Sequence, residues 1–153
     1  VNDDFAEMLS ALSDAGADFL LVGAHALAVH GLVRATGDLD IWVRPSAENA
    51  QRVWSALVQF GAPLDRISPE ELERPDLVFQ IGLPPRRIDL LTSITAVEFE
   101  EAWQQRVLVP FAGVEVPVID RHTLIRNKLA TGRKRDLADA EDLQNRTGEE
   151  GPG

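Results

Sequence analysis

The chain has 153 residues, a formal net charge of −10 and no cysteine. That length suits one domain with a sizeable core, and the negative charge argues against nonspecific binding to a polyanion. Without cysteine, disulfides and thiolate-held metals are excluded. Hydrophobic content of 44% and charged content of 26% are those of a soluble globular protein. The acidic start, Val1-Asn2-Asp3-Asp4, does not read as a secretory leader, and no apolar run approaches the roughly 18 residues of a membrane span. The expectation is a cytoplasmic protein with no membrane association.

Phe5, Met8, Leu9 and Leu12 recur at helical spacing, which predicts a first helix from Asp3 or Asp4 to about Ala15, stopped by Gly16. The apolar run 19–22 predicts a strand that ends at Gly23. A short helix over 24–30 follows and stops at Gly31. A connector holding Arg34 and Thr36 leads to Asp38-Leu39-Asp40, which opens a second strand through Val43. Ser46 is placed to cap a helix over 47–60, with Asn49 rather than Glu or Gln at the third position, so no full capping box forms. Ser68-Pro69 opens one short helical turn. Residues 77–82 and 87–91 read as strands around a Pro84-Pro85 turn.

Thr95 is expected to cap a helix over 96–105. Residues 107–110 and 114–118 predict a hairpin around Phe111-Ala112-Gly113. Asp120 leads into a basic helix over 122–131, ended by Gly132. A last helix over 134–145 is expected to turn Leu137, Ala140 and Leu143 inward. The organisation predicted is one domain, 1–147, with a flexible tail, 148–153.

Strand side chains alternate faces, so Asp38 and Asp40 point the same way. Two adjacent carboxylates at the edge of a core repel one another, and a hard divalent cation such as Mg2+ with phosphate oxygens relieves that. The alternative is a pair of solvated aspartates. Asp89 interrupts the apolar strand 87–91 and needs a reason to be there. It is either a third carboxylate beside Asp38 and Asp40 or the partner of Arg86 or Arg87. Gly23 is a place where backbone approaches a phosphate closely. His25 and His30 are five apart, not a metal spacing; His30 suits a helix C-terminus, and His25 is read as bordering the site without doing chemistry. Arg121, Arg126, Lys128, Arg133, Lys134 and Arg135 form an acid-free stretch, which is either a local anion site or a solvated helix face.

Together these motifs resemble the nucleotidyltransferase superfamily of the polymerase-beta type, and within it the small bacterial AbiEii/AbiGii-like and minimal nucleotidyltransferases. The residues that carry the resemblance are Leu21-Val22-Gly23-Ala24, His30-Gly31, the run from Arg34 through Thr36 to Asp38-Leu39-Asp40, and Arg87-Ile88-Asp89-Leu90-Leu91. A weaker part is the run from Lys128 to Asp139. The resemblance implies an α/β nucleotidyltransferase fold, a small mixed sheet flanked by helices. It implies Asp38, Asp40 and Asp89 as catalytic residues and ligands of Mg2+, with two ions possible, and Asp89 as the group that draws a proton from the attacking hydroxyl.

It also implies Gly23, Ala24, Arg34, Thr36 and Lys128 as nucleotide-binding residues and an NTP as substrate. The superfamily turn is usually Gly-Gly or Gly-Ser, and Ala24 departs from it by offering no hydroxyl. The acceptor is left open among tRNA, a protein side chain and a small molecule such as an aminoglycoside. For Arg34 and Lys128 the alternative is ion pairing to acids. The rival reading of the whole chain is a non-catalytic protein that binds a cognate toxin or antitoxin.

Overall fold

The computed structural model describes residues 3–34, 37–111 and 113–150, and side chains as far as residue 146. In chain order it contains α1 (Asp3–Asp14), β1 (Phe19–Val22), α2 (Gly23–Val29), β2 (Leu39–Val43), α3 (Ala47–Phe60), a 3-10 turn (Pro69–Glu73), β3 (Val78–Ile81) and β4 (Ile88–Leu91). Then follow α4 (Phe99–Gln104), β5 (Val107–Phe111), β6 (Val114–Val118), α5 (Arg121–Thr131) and α6 (Lys134–Glu150).

The six strands form one mixed sheet in the order β3-β4-β2-β1-β6-β5. β1 runs antiparallel to β2 and parallel to β6, while β2 runs parallel to β4. The outer strands β3 and β5 are joined to it as antiparallel hairpins. Every residue of β1 is buried, and so is every residue of β2 except Asp40. A central strand covered on both faces reads as a continuous apolar run rather than an alternating one, which is what 19–22 and 41–43 show. The edge strands are short and half exposed, as edges are when they must not recruit another chain.

The apolar face of α1, Phe5, Met8, Leu9 and Leu12, is buried as its spacing predicts. Ser46 caps α3 by accepting a hydrogen bond from the Asn49 N–H at 3.2 Å. Asn49 does more than sit in the first turn. Its Oδ1 accepts from the Asp18 N–H at 2.7 Å, and its Nδ2 donates to the Asp18 carbonyl at 2.9 Å and the Arg44 carbonyl at 3.0 Å. It is only 2% exposed and ties the start of β1 and the end of β2 to α3. Asn49→Ala is expected to lower unfolding free energy by about 2 kcal/mol, because the Asp18 N–H loses its partner while the Asp18 and Arg44 carbonyls each lose one of two hydrogen bonds. Urea denaturation checks this, with the midpoint falling and the slope unchanged.

Two elements differ from the sequence expectation. The helix expected over 96–105 starts only at Phe99, and Thr95 does not cap it. Ala96 takes a left-handed backbone (φ 64°) and Ile94 bridges to Val97, so residues 94–97 form a tight turn instead. The last helix runs on to Glu150, beyond the 145 expected; Ala140 and Leu143 turn inward as expected, and Leu137 does not. Leu137 is 41% exposed, whereas Asp136 and Asp139 are 9% and 2% exposed beside the fully buried Ala140 and Leu143. Ion pairs across to neighbouring elements, described below, set that orientation. Among the described residues no helix is long and apolar enough to cross a membrane.

Candidate active site

The site begins at the junction of β1 and α2. Gly23 has φ +69°, and a Cβ built on it would stand 2.1 Å from Oδ2 of Asp40. Any side chain there would collide with the carboxylate, so in this fold Gly23 makes room for Asp40. A second close approach precedes Asp38. A Cβ on Gly37 would lie 2.2 Å from the Pro85 carbonyl oxygen, so the chain entering β2 rests directly on the turn that precedes Arg87.

The parallel pairing of β2 with β4 sets Asp40 opposite Asp89. Directly paired residues share a face, and Asp38 lies two residues before Asp40 on that same face. The structure therefore brings Asp38, Asp40 and Asp89 together. It also brings Arg87, two residues before Asp89, into their midst. Its Nη2 lies 3.1 Å from Asp38 Oδ2 and donates to Asp89 Oδ2 at 3.3 Å, and its Nε lies 3.0 Å from Asp89 Oδ1. The sequence posed clustering of the acids and pairing of Asp89 with arginine as alternatives, and the structure contains both. Among the described residues no three acids stand as a ready-made metal group.

Asp40 carries the strain of this crowding. Burial, followed by the charges of Asp89 and Asp38, pushes its carboxyl up to about 6, with Arg87 opposing and a hydrogen bond to Asp89 adding to the rise.

Asp40 and Gly23 open onto a cleft of about 290 Å³ that Lys128, Arg133 and Asp136 also line. Ser93 and Asn127 also line it. Asp38, Asp89 and Ala24 do not, so of the three acids Asp40 is the one that faces the cleft. Ala24 lies in the first turn of α2, directly after Gly23.

Arg34 and Lys128 are both ion-paired. Lys128 Nζ lies 3.1 Å from Asp136 Oδ1 and 3.3 Å from Asp139 Oδ2. Arg34 donates to Asp139 Oδ1 from Nε at 3.0 Å and from Nη2 at 2.6 Å, and reaches Asp142 at 3.3 Å. Arg34 is not part of the cleft lining, and Thr36 lies outside the described residues. Burial pushes the Asp136 carboxyl up, but hydrogen bonds from Thr131 and Lys128 outweigh it and hold the group below its usual value. Arg133, with a side chain 77% exposed and 3.8 Å from Asp136, is the more available cation of this cleft.

Neither histidine joins the acids. His30 Nε2 donates to the Ile119 carbonyl at 2.8 Å. The His25 ring stands edge-on to Phe5 and Phe111, at centroid distances of 5.6 and 5.7 Å. Burial pushes the His25 pKa down, opposed by a hydrogen bond to the Asp38 backbone.

The sequence did not single out Ser93 and Asn127. It flagged Arg133 only as part of the basic stretch. The signal for Arg87 was its position two residues before Asp89 on one strand, which puts both side chains on one face.

No family model matches the chain, and no curated protein matches it. Among solved structures, a candidate nucleotidyltransferase from Thermotoga maritima superposes with a TM-score of 0.62 at 13% identity, over 95% of this chain and 91% of that one. The fold is therefore that of this nucleotidyltransferase-like neighbour: a mixed six-stranded sheet flanked by helices.

Proposed function

We propose that the chain transfers a nucleoside monophosphate from an NTP to an acceptor hydroxyl with the help of Mg2+. One observation carries this: Asp40 and Asp89, paired across parallel strands with Asp38 beside them, present Asp40 to a cleft that Lys128, Arg133 and Asp136 also line. Carboxylate oxygens are the donors a hard divalent cation takes, but with Arg87 on Asp38 and Asp89 the three acids as they stand are not a ready-made metal group. Asp38, Asp40 and Asp89 would hold the ion, and Arg87 would have to yield its contacts for all three to do so. When bound, Mg2+ supplies charge neutralisation to the triphosphate and polarises the reacting phosphate.

The chain's own residues supply the rest. Gly23 keeps the Asp40 carboxylate clear of the backbone. Arg133 and Lys128 draw the phosphates into the cleft that Asp40 lines. The resemblance gives proton removal to Asp89, while Asp40 is the acid that lines the cleft. The acceptor belongs to the class of hydroxyl-bearing molecules, whether tRNA, protein or small molecule.

A second reading also has an observation in its favour. Arg87 neutralises two of the acids, and Lys128 and Arg34 are consumed by ion pairs, as in a vestigial site on a protein that binds a cognate toxin or antitoxin. Incubation with α-labelled NTPs and cell extract separates the two. Transfer predicts a labelled macromolecule or small molecule and stoichiometric pyrophosphate. Label remaining wholly in the NTP favours partner binding.

A further inference from the structure

A second cavity, of about 550 Å³, lies at the C-terminal end of β2, and Ser93 and Ile94 line both it and the Asp40 cleft. Trp42 forms part of its lining. It stands two residues after Asp40 on β2, so the two side chains share a face of the sheet. Trp42 is 1% exposed, its ring stands edge-on to Phe99 at 5.0 Å, and its indole N–H has no hydrogen-bond partner. A buried donor left without an acceptor is destabilising, and a native one calls for an explanation.

The cavity is acidic. Asp76, Glu98 and Glu100 line it, and the cation of the lining, Arg44, is already held by Asp18 at 2.8 Å and by Glu100. Asp76 and Glu98 have no ion-pair partner among the described residues. Asp76 is also set in place. It takes a left-handed backbone (φ 64°), and its N–H donates to the Ser93 hydroxyl at 2.9 Å, while the Leu77 N–H donates to the Thr92 hydroxyl at 2.9 Å. Both hydroxyls accept from backbone and keep their own protons to donate. Ala96, the other non-glycine residue with left-handed backbone among the described residues, lies between Ile94 and Val97 of the same lining. Backbone held in sparsely populated conformations gathers at ligand sites.

We propose that this cavity seats the acceptor, a small polyol carrying one or two ammonium groups. This rests on the transfer reading, which brings the acceptor hydroxyl to the Asp40 cleft. The ammonium groups meet Asp76 and Glu98, and a hydroxyl or ether oxygen accepts from the Trp42 N–H. Ser93, common to both spaces, marks where the reacting hydroxyl passes into the cleft. There its oxygen bonds to the α-phosphorus, the bond to the bridging oxygen breaks and pyrophosphate leaves, and the hydroxyl proton passes to a carboxylate of the three-acid cluster. The same carboxylates that favour an amine repel a polyanionic acceptor such as tRNA. A nucleobase would satisfy the indole and leave both carboxylates unmatched.

The test is an NMR titration of the full chain without nucleotide or metal, read at the indole N–H signals. The chain has three tryptophans, and Trp42→Phe identifies the Trp42 signal by its loss. Should that variant not fold, Trp54→Phe and Trp103→Phe assign the other two. The probe is the glucosamine dimer at slightly acid pH, where both amines are charged; its diacetyl form is the same polyol without charge. The Trp42 signal is expected to shift saturably with the dimer, and with the diacetyl form only at about tenfold higher concentration or more. Asp76→Asn and Glu98→Gln are each expected to weaken binding about fivefold, and added salt to weaken the parent's binding. Asparagine tolerates the left-handed backbone, and the Glu98 side chain makes no capping bond to α4, so both variants keep the fold.

A Trp42 signal unmoved by the dimer overturns the proposal, and so does equal binding of the diacetyl form. A shift produced as readily by adenosine also overturns it and makes the cavity the seat of a nucleobase. Incubation with α-labelled NTPs separates this from the transfer reading. If label enters a component of cell extract but the dimer leaves Trp42 unmoved, transfer stands and this proposal fails. If the dimer moves Trp42 and label enters nothing, transfer fails and the cavity remains a site for amines.

Discussion

Asp40→Asn is expected to melt higher than the parent at pH 7.5 and at the same time to lose Mg2+-dependent NTP binding and transfer. The sign follows from linkage. A carboxyl at 3.8 in the unfolded chain and at about 6 in the folded one binds its proton more tightly when folded. The folded state gains from that proton at low pH, and stability declines as pH rises through the interval between the two values. Above it Asp40 carries a penalty of up to about 3 kcal/mol, less whatever solvent screening removes. Asparagine is nearly the same shape, carries no charge and donates a hydrogen bond to Asp89, so the penalty disappears along with the pH slope. The loss of a group that meets metal and phosphate is expected to reduce transfer by on the order of a thousandfold. Melting curves from pH 4 to 8, with and without Mg2+, check both halves. The parent's slope should flatten with Mg2+ and the variant's should not respond. A destabilised variant that still binds Mg2+-NTP would make Asp40 a structural residue.

Lys128→Met should act in the opposite direction on stability. Lys128 lies between Asp136 and Asp139, whose side chains are 13% and 3% exposed. Removing a cation from a buried cluster leaves charge uncompensated, at a cost of about 3–5 kcal/mol. Asp139 keeps Arg34, while Asp136 keeps only Thr131 and the distant Arg133, so the loss falls mainly on Asp136. Because the folded Asp136 sits below its usual 3.8, its contribution is complete above that value and is lost as pH falls through the folded value. The variant should therefore be destabilised at neutral pH and lose less than the parent on acidification. Guanidinium unfolding at pH 7.5 and pH 3 measures the difference. An unchanged free energy at pH 7.5 would show that the ion pairs contribute nothing.

What could be read from the sequence follows from where local rules govern. β1 and β2 were legible because central strands are apolar throughout, and the two breaks in that pattern, Asp40 and Asp89, fall in register on neighbouring strands. The Ser46 cap and the Gly23 turn were legible because a cap and a positive φ each demand a particular residue type. Asn49 was visible only as a missing capping-box partner, since its true work is with Asp18 and Arg44 on other elements.

The outward turn of Leu137 on α6 was not legible for the same reason. Apolar spacing favoured Leu137, but Asp139 is turned inward by Arg34, 105 residues away. The cleft wall around Ser93 and Asn127 likewise depends on how α5 docks, which nothing local encodes. Arg87 shows a different limit. Its pairing with Asp89 was visible, but as an alternative to the three-acid cluster, when a crowded acid cluster requires a counter-charge; its contact with Asp38 was not.

Titration calorimetry of the parent with ATP, GTP, CTP and UTP, each with and without Mg2+, tests the central claim most directly. The three-acid site predicts saturable binding of at least one nucleotide that depends on Mg2+ and is absent from Asp40→Asn. Binding of none of the four by a folded parent, in the presence of Mg2+, would contradict it.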